Sequence, residues 1–258
     1  MRGRRAQFPP PRVRCELPGQ SGGARGQDVA SSSFPSNFGP GRQGLPVSTV
    51  AVVDYGMGNL RSVAKAIEHV VPDATVHITA DPAVVARASR VVVPGQGAMP
   101  DCMRELTERG LREAVIRAAG EKPFLGICIG LQMLFEMSEE GHVPGLGLFP
   151  GRVRRFPTDA MVAPDGTRLK VPHMGWNQVN QAQSHALWQG IEDGARFYFV
   201  HSYFVEPAGP EIIAGSTVYG VPFTCAIAQA NIFAVQFHPE KSADAGLSLL
   251  GNFMRWKP

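Results

Sequence analysis

The sequence predicts an open α/β fold: a mixed, mainly parallel sheet flanked by helices. Three observations carry that prediction. Short apolar runs rich in valine and isoleucine alternate with helix-periodic segments as far as residue 137, the pattern of parallel strands joined by crossover helices. Those runs stop at glycine-containing turns, where open sheets of this kind bind ligands. Beyond residue 150 the runs become short and are split by Gly, Pro and Asn, which predicts an antiparallel or mixed continuation.

In order, Ser48–Asp54 reads as a buried first strand. It is followed by Tyr55-Gly56-Met57-Gly58-Asn59 and a helix over Leu60–Val70. The two glycines lack the third of a dinucleotide fingerprint, so the turn reads as a glycine-eased strand-to-helix connection. Ala74–Ile78 is a second strand. Asp81–Ala88 is a short helix with Asp81 as N-cap and Pro82 in its first position. Arg90–Val93 is a third strand running into Pro94-Gly95-Gln96-Gly97. Asp101–Ala119 is amphipathic and reads as one helix.

The stretch that organises the chain comes next. Phe124, Leu125 and Ile127 form an apolar strand that ends at Cys128, and Leu131, Leu134 and Phe135 then recur at helical spacing. Gly126 and Gly130 flank the cysteine at ±2. This is the spacing of a nucleophile elbow with sulfur in place of the hydroxyl. A strand that turns straight into a helix presses the ±2 residues together, so side chains there would clash. A helix N-terminus behind the sulfur would favour a thiolate. The competing reading of Cys128 is a buried structural thiol; the elbow spacing favours the nucleophile.

The later strands are Gly151–Phe156, Leu169–Val171, Trp176–Val179, Ala195–Val200, Ile212–Ser216, Thr224–Gln229 and Ile232–Phe237. A closing helix spans Ser242–Trp256. The last strand ends at His238-Pro239-Glu240. A histidine there can take a thiol proton and return it to a leaving amine. Glu240 can hold its tautomer from across the proline. His173 and His201 also lie in loops suited to such a role.

Composition excludes several classes. The chain has 258 residues and a net charge of +3, but seven arginines crowd residues 1–50 against only Glu16 and Asp28. The remainder is slightly acidic, so neither nucleic acid nor a membrane surface is an expected partner. Residues 1–46 are rich in Arg, Gly, Pro, Ser and Gln and poor in aliphatics. They read as a disordered basic extension dispensable to the globular domain at 47–258. They lack the apolar centre of an export signal, so the expected location is the cytoplasm. Four reduced cysteines with no C-x-x-C pair argue against disulfides and a structural zinc site.

Taken together, Gly126-Ile-Cys128-Ile-Gly130-Leu-Gln132, Pro94-Gly95-Gln96-Gly97 and Phe237-His238-Pro239-Glu240 resemble the class I (triad) glutamine amidotransferases. Within them, Val53–Leu60, Pro172-His-Met-Gly-Trp-Asn177, His201-Ser-Tyr203 and Gln236–Ser242 are most similar to the glutaminase subunits of imidazole glycerol phosphate synthases. The resemblance covers about residues 48–258 and implies a flavodoxin-like sheet. Gln96 departs from it, since a small apolar residue is expected there.

The resemblance implies that Cys128 attacks L-glutamine, with His238 as base and acid and Glu240 as its orienter. Backbone N–H groups of Gly95, Gly97 and Ile129 would form the oxyanion hole. Gln132, Glu140, Gly95, His201, Ser202 and Tyr203 would hold substrate. No cofactor or metal is implied. The implied partner is the cyclase subunit, in a heterodimer, met through Tyr55, Asn59, Met174, Trp176 and Lys241. A lone cysteine hydrolase of γ-glutamyl amides, or the glutaminase subunit of another amidotransferase, remains the alternative.

Overall fold

The computed structural model describes residues 48–157, 161–163 and 166–258. The extension at 1–46 lies outside the described residues. The first half alternates as expected: β1 (Thr49–Val53), α1 (Leu60–Val70), β2 (Thr75–Thr79), α2 (Pro82–Arg87), β3 (Arg90–Gly95), α3 (Met99–Glu108), α4 (Arg112–Glu121) and β4 (Phe124–Cys128). A single turn, α5 (Ile129–Gln132), leads to β5 (Phe135–Ser138), β6 (Val143–Pro144) and β7 (Phe149–Arg155). Then come β8 (His173–Gln178), β9 (Asn180–Gln181), β10 (Arg196–His201), β11 (Tyr203–Pro207), β12 (Ile213–Tyr219), β13 (Val221–Gln229), β14 (Ile232–Val235) and α6 (Ala243–Arg255).

The main sheet runs β2-β1-β3-β4-β14-β13-β11-β7-β5-β6. From β2 to β14 every pairing is parallel. Beyond β14 the ladder becomes antiparallel through β13, β11 and β7. A separate antiparallel pair, β8 with β10, sets His173 opposite His201. Inside the edge strand β2, which is largely exposed, the parallel block is buried: Val50–Val53, Val91–Val93, Phe124–Ile127 and Ile232–Val235 are all shielded. That burial explains why its strands read as continuous apolar runs rather than alternating ones.

Several segments depart from the sequence reading. The helix expected over 101–119 is two helices. Gly110, at φ +67°, ends the first, with Gly110 N–H donating to the Thr107 carbonyl and Leu111 N–H to that of Leu106, the double bond of a Schellman stop. The helix after the elbow lasts one turn. Leu131, Leu134 and Phe135 are buried as their spacing implied, but Phe135 opens a strand paired with β7. Leu169–Val171 forms no strand; the pairing near it is an isolated bridge between Val162 and Arg168. The strand at Tyr203–Pro207 was not expected.

Candidate active site

Sheet register places the site. β3 and β4 pair in parallel with Gly95 opposite Cys128, and β14 pairs with β4 with Val235 opposite Ile127. The Gly95–Gly97 turn, Cys128 and the segment from Gln236 to Glu240 therefore leave the sheet side by side at one carboxyl edge. Cys128 has φ +56° and ψ −108°, a conformation L-residues adopt only when their surroundings enforce it. The flanking glycines make room for it. A Cβ on Gly126 would stand 2.7 Å from the Gly130 carbonyl oxygen.

The sulfur opens onto a cleft of about 240 Å³ lined by Gln96, Gly97, Ile129, Gln132, Glu140, His201, Ser202, Tyr203 and His238, with Pro172 and Val200 completing the wall. Gly95 lies beneath the cleft rather than in its lining. A Cβ there would stand 2.5 Å from Ile129 Cβ and 2.7 Å from the Tyr55 hydroxyl, so glycine lets β3 pass under the elbow. Gly97 takes φ +109°, which suits a turn that bends toward the cleft.

His238 and Glu240 are nearly inaccessible, and His238 Nδ1 lies 2.9 Å from Glu240 Oε1. The carboxylate accepts that N–H, which leaves Nε2 as the free face of the ring. Among the described residues Nε2 makes no hydrogen bond of ordinary distance and angle; the Cys128 sulfur acts on it as a hydrogen-bonding and charged neighbour. Burial pulls the imidazole pKa down, but Cys128 and Glu240 together outweigh burial and raise it to about 10.

Glu140 spends one oxygen on the Met99 N–H at the start of α3. Gln132 donates to the Tyr203 carbonyl and to Gln236 Oε1, while its own Oε1 is buried with no partner among the described residues. Sequence reasoning passed over Gln236, whose Nε2 donates to Cys128 Sγ at 3.6 Å. Its place one residue past the Val235–Ile127 pair is a matter of strand register, which the sequence alone does not display.

The five residues named as partner contacts separate. Met174 is 62% exposed and Trp176 47%; Asn59 and Lys241 are half-buried. Tyr55 is a correction: it is fully buried, and its hydroxyl donates to the Pro94 carbonyl at 2.7 Å. It braces the glycine turn from below and offers no surface to a partner.

An elbow cysteine beside a carboxylate-oriented histidine, at the carboxyl edge of an α/β sheet, is the arrangement of an acyl-transfer enzyme working through a thioester. The chain belongs to the class-I glutamine amidotransferase family, whose model matches residues 51–255. It is 69% identical over 212 residues to the imidazole glycerol phosphate synthase subunit HisH of Aromatoleum aromaticum, covering 82% of this chain and 100% of that relative. It is 69% identical over 214 residues to the HisH subunit of Dechloromonas aromatica, covering 83% of this chain and 99% of the relative. Among solved structures, the glutaminase domain of Trypanosoma brucei CTPS, with acivicin bound, superposes with a TM-score of 0.55 at 16% identity, covering 81% of this chain and 95% of that one. A glutamine amidotransferase from Thermotoga maritima gives 0.51 at 16%, covering 75% and 76%. At such identities these two establish the shared fold alone.

Proposed function

We propose that the chain is the glutaminase subunit of imidazole glycerol phosphate synthase, a cytoplasmic enzyme that releases ammonia from glutamine for a cyclase subunit in histidine biosynthesis. The observation that carries the chemistry is the His238 ring. It is held through Nδ1 by Glu240 while Nε2 stays unpaired beside Cys128, in a cleft wide enough for a small amino acid. The full-length relatives carry the choice of pathway.

In the proposed reaction the Cys128 thiolate adds to the side-chain amide carbon of glutamine. The carbonyl electrons move to an oxyanion held by backbone N–H groups of Ile129 and the Gly95–Gly97 turn. Protonated His238 gives its proton to the amide nitrogen, the C–N bond breaks, and ammonia leaves with an acyl thioester behind. Water, losing a proton to His238, then cleaves the thioester to glutamate, and the thiolate is restored. Gln132 and Glu140 hold the substrate's polar end, with His201, Ser202 and Tyr203 forming the opposite wall.

The cyclase partner docks over the carboxyl edge of the sheet, where Met174 and Trp176 are exposed, so that ammonia passes to it without meeting bulk water. Glutamate production should therefore be measured for the isolated chain, for the complex with the cyclase, and for that complex with the cyclase's nucleotide substrate. Rates that rise along the series are expected. Equal rates in all three would instead favour a lone hydrolase.

A further inference from the structure

We propose that Gln236 is a further catalytic residue: its side-chain amide donates an N–H to the Cys128 sulfur and favours the thiolate. The inference rests on the reading of Cys128 as nucleophile and adds a group to its activation. Gln236 is fully buried just past the end of β14, one residue beyond the Val235–Ile127 pair, as Cys128 is on β4. Its own backbone N–H is tied to the Cys225 carbonyl at 2.8 Å.

The orientation of the amide follows from its neighbours. A backbone carbonyl can only accept, so the Tyr203 carbonyl fixes which end of Gln132 faces it: Nε2, at 3.0 Å. The second hydrogen of that nitrogen goes to Gln236 Oε1 at 3.1 Å. With its oxygen spent there, Gln236 presents Nε2 to Cys128 Sγ at 3.6 Å. Turning Gln236 over would set two amide nitrogens face to face and an oxygen against the sulfur. Turning Gln132 as well would set two carbonyl oxygens against each other. The other side of the Tyr203 carbonyl is occupied too, since His201 Nδ1 lies 2.8 Å from it.

An N–H aimed at sulfur stabilises the anion more than the thiol, because hydrogen bonds to ionised acceptors are the stronger ones. An amide does this without titrating, so it cannot compete with His238 for the proton. The donor also makes up for a short α5, whose single turn supplies little helix dipole behind the sulfur. The same bond leaves the unpartnered Gln132 Oε1 as a fixed acceptor beside the cleft.

The test is the pH profile of iodoacetamide alkylation at Cys128 in the full chain, with Cys128→Ala as background. Gln236→Leu and the near-isosteric Gln236→Glu should each move the midpoint of the alkylation profile upward by about one pH unit, so that alkylation at pH below the midpoint slows about tenfold. In the complex with the cyclase, the same variants should lower kcat for glutamine hydrolysis more than they raise KM. If Gln236→Leu does not fold, as judged by circular dichroism, Gln236→Glu carries the measurement. A folded variant with the wild-type alkylation profile would overturn the inference while leaving Cys128 as nucleophile. Alkylation of the wild-type chain no faster than the background would overturn the nucleophile reading, and this inference with it.

Discussion

His173 and His201 meet inside the protein with Nδ1 of the first 3.0 Å from Nε2 of the second. Because His201 Nδ1 faces the Tyr203 carbonyl, that nitrogen carries the proton, and Nε2 accepts from His173. Each ring is thereby fixed as a neutral tautomer, and His173 is stacked between Phe199 and Tyr219. The pair therefore has a consequence for stability against pH.

Burial lowers the His173 pKa to about 4. Burial first, then the charges of His173 and His238, lowers that of His201 to about 3 against the upward pull of the Tyr203 carbonyl. In the unfolded chain both titrate near 6.5. At this pair the native state binds fewer protons, so the pair's contribution to stability is whole above about pH 6.5 and is lost as pH falls toward 4 and then 3. The loss is on the order of a few kcal/mol for the pair. Urea denaturation at pH 7.5 and 4.5 should show a smaller pH effect in His173→Gln than in the wild type; equal effects would refute the account.

Gly130 should tolerate no side chain. A Cβ there would stand 1.8 Å from the Val93 carbonyl oxygen, which is backbone and cannot step aside. Gly130→Ala must push α5 off β3, at roughly 3 kcal/mol or more. Gly147, at φ +68° with open space around it, is the control. Gly147→Ala should cost only about 1–2 kcal/mol of backbone strain. Similar melting temperatures for the two variants would sink the argument.

For the proposed chemistry, Cys128→Ala should abolish glutamine-dependent turnover by the complex with the cyclase, yet spare turnover supplied with free ammonia. Glu240→Gln should leave a residue of activity, reduced about 10²–10⁴-fold, because the imidazole loses its fixed tautomer and not its place. Loss of the ammonia-dependent reaction in a folded Cys128→Ala complex would contradict the division of labour.

Much of this site was legible because its residue types are chemically singular. A cysteine between glycines at ±2 can be found by spacing alone; His238 with its carboxylate two residues on shared the field with His173 and His201 until the family resemblance singled it out. The parallel block was legible for a related reason: strands buried on both faces leave continuous apolar runs. What escaped depends on neighbours that sequence does not display. Helical periodicity continues across Gly110, so only the Schellman bonds reveal the stop. Tyr55 sits in a glycine-rich turn that reads as surface, and its burial under Pro94 is a tertiary fact. Gln236 has no titratable group, and its meaning comes from strand register with Cys128.

The domain proposed for residues 47–258 should stand alone. The first 46 residues supply few aliphatic side chains, and hence little apolar area to bury. Removing them should leave the melting temperature and glutamine-dependent turnover of the complex essentially unchanged. A marked fall in either would show that the segment contributes to the fold or to the partner interface.

The partner surface makes the last prediction, and the buried Tyr55 gives it a control. Along β8, His173 points into the core while its neighbour Met174 is 62% exposed; Trp176, further along the strand, is 47% exposed. Trp176 touches Tyr198 edge-on across the β8–β10 pair, so it is oriented without being covered. An aromatic side chain held this way gives up little conformational freedom on binding and brings a large apolar area, the profile of an interface anchor. Trp176→Ala should weaken binding of the cyclase subunit by at least about tenfold, with a change in stability near 0.5 kcal/mol or less, as for other surface sites. Tyr55→Phe should do the reverse. It leaves the Pro94 carbonyl without its 2.7 Å donor, which costs stability of about 1–3 kcal/mol, yet it removes nothing a partner could touch. Titration calorimetry against the cyclase, paired with thermal melts of each variant, separates the two. If Tyr55→Phe impairs binding more than Trp176→Ala does, the docking face lies elsewhere on the carboxyl edge.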